Sequence, residues 1–302
     1  MNEVEIIVLD LDGGAITEQC ILSIANQEEK PSRVILFDNG SQVPLQSRLP
    51  AFVGIDLQVI RSDSNVGFTG GINAAMSDVR SPFVGWINND VVLHPRWLTA
   101  LRSALEQNPR LAAVQPIIVS LDGRVDGAGI RIDDGTFQQH GHGQSLDQLS
   151  STAPWGISAT ASMFRMEALE QVRLAGGFLH PDLFAYFEDV ELSARLREAG
   201  WSMELVDEVL ATHRGSFSAT RIGGKAARLR VRNRYFVHRL HPEIGRLPAL
   251  LWEDIRAIVK LLTTLHALRA VSHSLSLAEG LLRTIRTGGG PPGDGTPAHR
   301  HK

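Results

Sequence analysis

Apolar positions early in the chain come as short unbroken runs separated by stretches of helical spacing. Residues 4–9 form a nearly continuous apolar run, the pattern of a strand covered on both faces in a parallel sheet. Helical spacing follows at 17–27, and a second run at 33–37 ends in Asp38-Asn39-Gly40-Ser41. A third run at 57–61 precedes the glycine-rich stretch 65–71 and a helix through about residue 79. A fourth, 83–87, ends at Asn88-Asn89-Asp90; a helix at 97–107 and a strand at 111–120 continue the alternation. That order predicts an α/β domain whose mostly parallel sheet is flanked by helices. Ligands of such sheets sit beyond the carboxyl ends of the strands. The polar clusters at 38–41, 65–71 and 88–90 all fall at those ends.

From 122 to 151 the chain turns rich in Gly, Asp, Gln and His, which predicts a long loop or irregular hairpin with His140 and His142 as solvated loop residues. Regular structure resumes at 157–165. A helix at 188–199 is closed by Gly200, and an apolar strand runs through 202–211 to His213. Residues 225–287 read as helical and basic, broken by Pro242 and Pro248. The tail 288–302 has no apolar residues to bury and is expected to be disordered. The organisation implied is a catalytic domain over 1–220, with halves meeting near 120, and a C-terminal helical extension over 221–287.

Composition changes this picture in two places. With 43% hydrophobic and 21% charged residues among 302, the chain is globular. A single cysteine, Cys20, excludes a disulfide framework or thiolate metal cluster, suits a reducing cytoplasm and fits a helical core position. Charge is the second: residues 1–220 carry 15 Lys and Arg against 28 Asp and Glu, whereas 221–287 carry 13 against 4. A basic appendage on an acidic body points to an anionic partner. Nucleic acid is disfavoured, because the basic stretch lacks interleaved stacking aromatics. An anionic membrane surface fits better: Leu247, Leu250, Leu251, Ile255, Ile258, Val259, Leu261 and Leu262 recur at helical spacing with Arg256 and Lys260 between them. Burial of that face on the catalytic domain or a partner helix is the other reading. No secretory leader and no run of 18 uncharged apolar residues is visible, so the expected location is cytoplasmic, peripheral at the inner face of the plasma membrane.

Three clusters offer chemistry. Asn88-Asn89-Asp90 places a carboxylate and two amides at a strand end, hard oxygen donors suited to Mg²⁺ or Mn²⁺ shared with phosphate; a strand-end Asp can equally cap a turn. The loop Asn65-Val66-Gly67-Phe68-Thr69-Gly70-Gly71 runs into a helix whose first amides could approach a diphosphate, although glycine-rich turns without ligands are common. Around Glu188-Asp189, carboxylates follow Phe184, Tyr186 and Phe187 at a helix start. They either complement the helix dipole or form a general base kept ordered by aromatics.

Taken together, seven stretches in order resemble the family-two inverting glycosyltransferases of the GT-A fold, in particular their bacterial rhamnosyltransferase-like branch. They are Asp38-Asn39-Gly40-Ser41; Asn65-Val66-Gly67-Phe68 with Gly70, Gly71 and Asn73; Asn88-Asn89-Asp90; Gly176-Gly177-Phe178; Tyr186-Phe187-Glu188-Asp189; Ala199-Gly200-Trp201; and His213-Arg214-Gly215-Ser216. The resemblance implies that Asp38 faces the nucleobase and ribose, and that Asn65, Gly67, Gly71, Asn88 and Asn89 line the nucleotide-sugar. Asp90 and His213 would hold Mn²⁺ or Mg²⁺ on the diphosphate, and Asp189 would be the base with Glu188 its acidic neighbour. It further implies one inverting displacement from a nucleoside-diphosphate sugar, dTDP-rhamnose favoured over a UDP-hexose or UDP-galactofuranose, onto a glycan or polyprenyl-linked acceptor in cell-envelope polysaccharide synthesis. Asn88 replaces the first acid of the family's Asp-x-Asp, and the first strand ends Asp10-Leu11-Asp12 where Thr-Tyr-Asn is usual. The Gln-x-x-Arg-Trp motif of the processive members is absent, so transfer of one sugar is expected.

Two rival readings remain at this stage. Val8-Leu9-Asp10-Leu11-Asp12-Gly13 resembles the nucleophile motif of haloacid-dehalogenase-type phosphatases. The other is a non-catalytic nucleotide-sugar-binding module, motivated by the departures at Asp10–Asp12 and Asn88.

Overall fold

A computed structural model describes residues 3–45, 54–133, 135–150, 152–215, 224–263 and 267–286. Ser216 and the tail 288–302 lie outside the described residues, as do the side chains of Leu261 and Leu262. The apolar runs become strands β1 (Val4–Asp10), β2 (Arg33–Asp38), β3 (Leu57–Arg61) and β4 (Phe83–Asn88), connected through helices α1 (Ala15–Ala25) and α2 (Gly67–Met76). Next come β5 (Val91–Leu93), α3 (Trp97–Gln107), β6 (Leu111–Ser120) and the short strands β7 (Val125–Gly127), β8 (Ile130–Asp133) and β9 (Thr136–Gln139). β10 (Ala161–Arg165), α4 (Met166–Gln171), α5 (Glu188–Glu198) and β11 (Ser202–His213) follow, then helices α6 (Gly224–Leu240), α7 (Leu247–Thr263) and α8 (Ala267–Arg286).

The main sheet runs β3-β2-β1-β4-β10-β6-β11-β5. β1 to β4 are parallel, β10 is antiparallel to both β4 and β6, and β11 is parallel to β6. Six of the nine strands therefore run the same way, as the alternation of elements predicts, and β10, β5 and β7 run against them. Asp10 lies beside Asp38 and Leu9 beside Asn88, so the carboxyl ends of three strands are level. On one face Trp97, Leu98, Leu101 and Ile21 pack against Ile6, Val8 and Leu36; on the other Trp86, Phe164, Ile72 and Leu196 pack against Ile7 and Ile35. Both faces are covered, which is why β1 and β2 read as continuous apolar runs.

Residues 122–151 hold more order than an unstructured loop. β7 pairs with β6, and β8 with β9 forms a separate two-stranded hairpin. His142 is exposed as expected, but His140 is buried: its Nε2 donates to the Ser150 carbonyl at 2.9 Å, which satisfies the ring away from water. Pro248 does not break a helix. It stands in the first turn of α7, where a missing N–H costs nothing.

The C-terminal helices pack on the body and on one another. Phe236 and Val237 of α6 bury themselves with Ile130, Leu183 and Val190, and Leu250 of α7 packs with Val231 and Tyr235. At the centre of this bundle Asp254 is fully buried and accepts from Arg234, Tyr235 Oη (2.5 Å) and His273 Nε2 (2.6 Å), joining all three helices. Half of the amphipathic pattern is thus internal. Trp252, Ile255 and Val259 on α7 and Val271, Leu275 and Leu282 on α8 remain exposed. No helix among the described residues is long and apolar enough to cross a membrane.

Candidate active site

A cavity of about 570 Å³ opens at the carboxyl ends of β1, β4 and β11. Its lining includes Asn65, Gly67, Asn88, Asn89, Asp90, Asp126, Glu188, Asp189 and His213, so eight of the ten sequence-predicted residues meet in one place. Asp38 and Gly71 are not among its lining residues. Asp38 is fully buried and accepts from the Ser41 amide (2.9 Å), the Leu45 amide (3.1 Å) and the Arg61 guanidinium. Burial works against its charge, but those donors outweigh it and hold the carboxyl below the usual range. It braces the 38–45 turn. Gly71 is a packing glycine, because a Cβ there would strike the Leu9 side chain.

Asp10 is also structural. It accepts from Gly13 N (3.1 Å), Asn89 Nδ2 (2.7 Å), Ser41 Oγ (3.3 Å) and Thr17 Oγ1, fully buried, and so ties the ends of β1, β2 and β4 to α1. A carboxylate saturated in this way is no nucleophile, and the phosphatase reading loses its central residue. Asn89 is consequently a brace at the cavity floor, while Asn88 presents its side chain along the wall.

The glycine-rich loop 65–71 is held by paired amides. Asn39 accepts from Val66 N at 2.9 Å and donates to the Gly67 carbonyl at 3.1 Å, while Asn65 Oδ1 accepts from Gly67 N at 2.8 Å. Gly67 has φ +80°, and a side chain there would run into the Phe184 carbonyl; both conditions require glycine. The Gly176-Gly177-Phe178 motif has a similar origin. Asn73 of α2 accepts from the Phe178 and Leu179 amides at 2.9 and 2.8 Å and donates to the Leu179 carbonyl at 2.8 Å.

His213 ends β11 opposite Val91, next to Asp90, whose carbonyl accepts from Arg214 N at 3.0 Å. Its ring donates from Nε2 to Asp90 Oδ1 (3.1 Å) and from Nδ1 to Asp126 Oδ2 (2.8 Å). Burial alone would lower its pKa; the hydrogen bonds and charges of Asp126 and Asp90 overcome that and push it up to about 9. Asp126 lies on β7, inside the stretch whose composition reads as loop, and sequence reasoning missed it. A carboxylate that orients a ligating imidazole through its second nitrogen is a recurrent arrangement.

Asp90 supplies a carboxylate oxygen, and His213 Nε2 becomes a ligand once it gives up the proton it donates to Asp90; Mn²⁺ accepts both donors, Mg²⁺ favours the oxygen, and both ions keep much of their shell for phosphate and water. Asp90 and His213 therefore fit a diphosphate-bound divalent ion. Among the described residues the trio Glu198, His241 and Glu243 also lies within ligand distance. That trio is outside the cavity: His241 Nδ1 donates to Glu198 Oε1 at 2.5 Å and fastens the end of α6 to α5.

The segment before α5 is strained. Phe184, Tyr186 and Phe187 have φ of +64°, +71° and +69°, a left-handed conformation that costs about 1–3 kcal/mol for each non-glycine residue. Helix α6 holds it: the fully buried Asn233 donates through Nδ2 to the carbonyls of Leu183 (2.9 Å), Ala185 (2.8 Å) and Tyr186 (2.7 Å). Arg230 and Lys225 of the same helix lie over the Tyr186 and Phe184 rings at 4.5 and 4.3 Å. The outcome is a helix start that turns Glu188 and Asp189 toward the cavity. Burial pushes both carboxyls up; for Glu188 the Asp189 charge adds to it. Glu188 Oε2 is buried without a hydrogen-bond partner. Asn233 and Arg230 gave no sequence signal, being polar residues within a basic helix.

A level parallel strand edge, a carboxylate–imidazole pair and a buried acid at a helix start in one cavity define a glycosyltransferase of the GT-A fold. Residues 12–173, more than half of the chain, match the family model described as glycosyl transferase family 2, and the chain belongs to that family. It is 26% identical over 248 residues to the N-acetylglucosaminyl-diphospho-decaprenol L-rhamnosyltransferase of Mycobacterium tuberculosis, covering 72% of this chain and 77% of that protein. Among solved structures, the mannosyltransferase PcManGT from Pyrobaculum calidifontis, in complex with GDP-Man and Mn²⁺, superposes with a TM-score of 0.58 at 14% identity, over 95% of this chain and 76% of that one. S. aureus TarS 1-349 in complex with UDP-GlcNAc gives 0.55 at 16% identity, over 95% and 73%. Both structures share the fold.

Proposed function

We propose that this glycosyltransferase moves one sugar, rhamnose first among the candidates, from a nucleoside-diphosphate donor to a hydroxyl of a polyprenyl-diphosphate-linked glycan, with inversion and with Asp189 as base. The observation that carries the reading is that Asp90, His213 and Asp189 line one cavity although they are more than 100 residues apart in places. The mycobacterial relative supports the sugar and the acceptor class, since its name specifies both.

Within this reading Asn65, Gly67 and Asn88 flank the donor, and Asp90 and His213 would hold a divalent cation, which when bound would supply Lewis-acid stabilisation of charge on the diphosphate. Asp189 takes the proton of the attacking hydroxyl, and its half-buried position raises its basicity. Glu188, held largely neutral by burial beside that charge, has an O–H with which to bond the acceptor. One base and no enzyme nucleophile give a single displacement, hence inversion. Residues 1–220 form the catalytic unit, and 221–287 the part that orients it toward an anionic membrane surface.

The direct test is thermal stabilisation by dTDP-rhamnose, UDP-glucose, UDP-galactofuranose and GDP-mannose, with and without Mn²⁺. Ligand bound to the native state raises Tm by mass action. The expected result is the largest shift for dTDP-rhamnose with Mn²⁺, lost in Asp90→Ala. No shift with any donor, or shifts indifferent to Asp90, would reject the proposal.

A further inference from the structure

A second cavity, of about 520 Å³, lies between α6, α7 and α8. Phe187 and Arg230 line both it and the catalytic cavity, so the two adjoin two residues from Asp189. Its acids are already engaged: Glu253 and Asp254 pair with Arg234, and Asp254 also takes Tyr235 and His273. Arg230 and Arg256 are left without an acidic partner among the described residues, and both are exposed. The contact of Arg230 is the Tyr186 ring, which leaves its N–H fork unspent. Two guanidiniums facing one cavity match a diphosphate, whose oxygens accept the planar fork in pairs. Beside Arg256, the side chains of Trp252, Ile255 and Val259 stand exposed along α7.

We infer that this cavity is the acceptor's diphosphate site, with Arg230 and Arg256 gripping the anion while the acceptor sugar reaches Asp189 and the polyprenyl chain leaves along the apolar stripe of α7. The inference rests on the acceptor class proposed above. It explains why a basic bundle is joined to the acceptor side of an acidic body, and why one arginine borders both cavities. A phospholipid headgroup offers related chemistry, but a single phosphate would engage one fork and would not need the opening into the catalytic cavity.

The test uses the full chain and farnesyl diphosphate, in EDTA so that the donor-side cation contributes nothing. Wild type should bind it, and Arg230→Ala/Arg256→Ala should weaken binding by at least about tenfold, the scale of losing charge-assisted hydrogen bonds. Arg256→Lys, which keeps charge and loses the fork, should fall between them. Asp90→Ala and Asp189→Asn should bind as wild type does. Equal binding by wild type and the arginine variant, or loss in Asp90→Ala, would overturn the inference. So would a defect of the arginine variant confined to phosphatidylglycerol vesicles. If wild type transfers no sugar to a lipid-linked acceptor yet binds farnesyl diphosphate through these arginines, the cavity assignment stands and the proposed acceptor falls. If transfer proceeds and the arginine variant leaves the acceptor KM unchanged, the reverse holds.

Discussion

As the proposed base, Asp189 carries the heaviest demand of any residue here, because that role needs it ionised at rest and yet basic enough to accept a hydroxyl proton. Its burial sets that balance, raising its pKa above the ordinary aspartate value of about 3.9. The catalytically competent form is the anion, so kcat/KM should climb with pH through that raised pKa, and the acidic limb should lie clearly above 4. A limb at or below 4 in a pH–rate profile would contradict the assignment. Asp126 gives a second expectation: Asp126→Asn removes the charge that orients His213, and should weaken Mn²⁺ activation roughly 10–100-fold while leaving acceptor KM unchanged. Residues that line the cavity were legible in the sequence where a carboxylate, amide or glycine stood at the end of a strand or the start of a helix, as at Asn65, Asp90 and Asp189. Asp38 is buried with three donors and is not among the residues lining that cavity; a carboxylate bracing a turn and one facing a ligand look alike in sequence.

At the scale of elements, α6 is a positioning device for α5. Asn233 donates to three carbonyls of a segment holding three left-handed residues, and Arg232 of the same helix adds bonds to the Asp182 and Leu183 carbonyls. Asn233→Leu takes that donor from the Ala185 and Tyr186 carbonyls, at about 1–3 kcal/mol each, whereas the Leu183 carbonyl still accepts from Ala185 N and Arg232. The expected outcome is a lower Tm together with a fall in kcat, with donor affinity unchanged; calorimetry and donor titration check it. Loss of stability with kcat intact in the remaining folded protein would show that the loop does not need α6. The strands of the sheet interior were plain in the sequence because burial on both faces leaves unbroken apolar runs, as in β1 and β4. β5 and β7 to β9 were not, since three- and four-residue strands with one polar face carry too short a pattern to separate from loop. They matter nonetheless: β7 brings Asp126, and β5 aligns Asp90 with His213.

For the whole molecule, the asymmetry of charge gains a geometry. The basic residues sit on a three-helix bundle locked by Asp254, and that bundle leaves apolar side chains of α7 and α8 exposed. Charge arithmetic in the sequence located this appendage correctly, and helical spacing located its apolar positions. What neither could tell was which of those positions turn inward, because Leu250 and Ile255 occupy the same apolar pattern until α6 and α8 are packed against it. Replacement of Trp252, Ile255 and Val259 by Ser should reduce co-sedimentation with phosphatidylglycerol vesicles by about tenfold or more, given the value of burying apolar side chains at the interface. Solution transfer to a short-chain, water-soluble acceptor should be unchanged. Binding that survives in the triple variant would remove the membrane from the account.

The claim on which the rest depends is that donor binding and proton removal are divided between the Asp90–His213 wall and Asp189. The measurement that tests it is a comparison of Asp189→Asn with wild type for nucleotide-sugar affinity in Mn²⁺ and for single-turnover sugar transfer. The account predicts unchanged donor affinity and a loss of transfer of about 10²–10⁴-fold, the scale of a general base. Transfer near the wild-type rate in Asp189→Asn, or a donor affinity that collapses with it, would contradict that division.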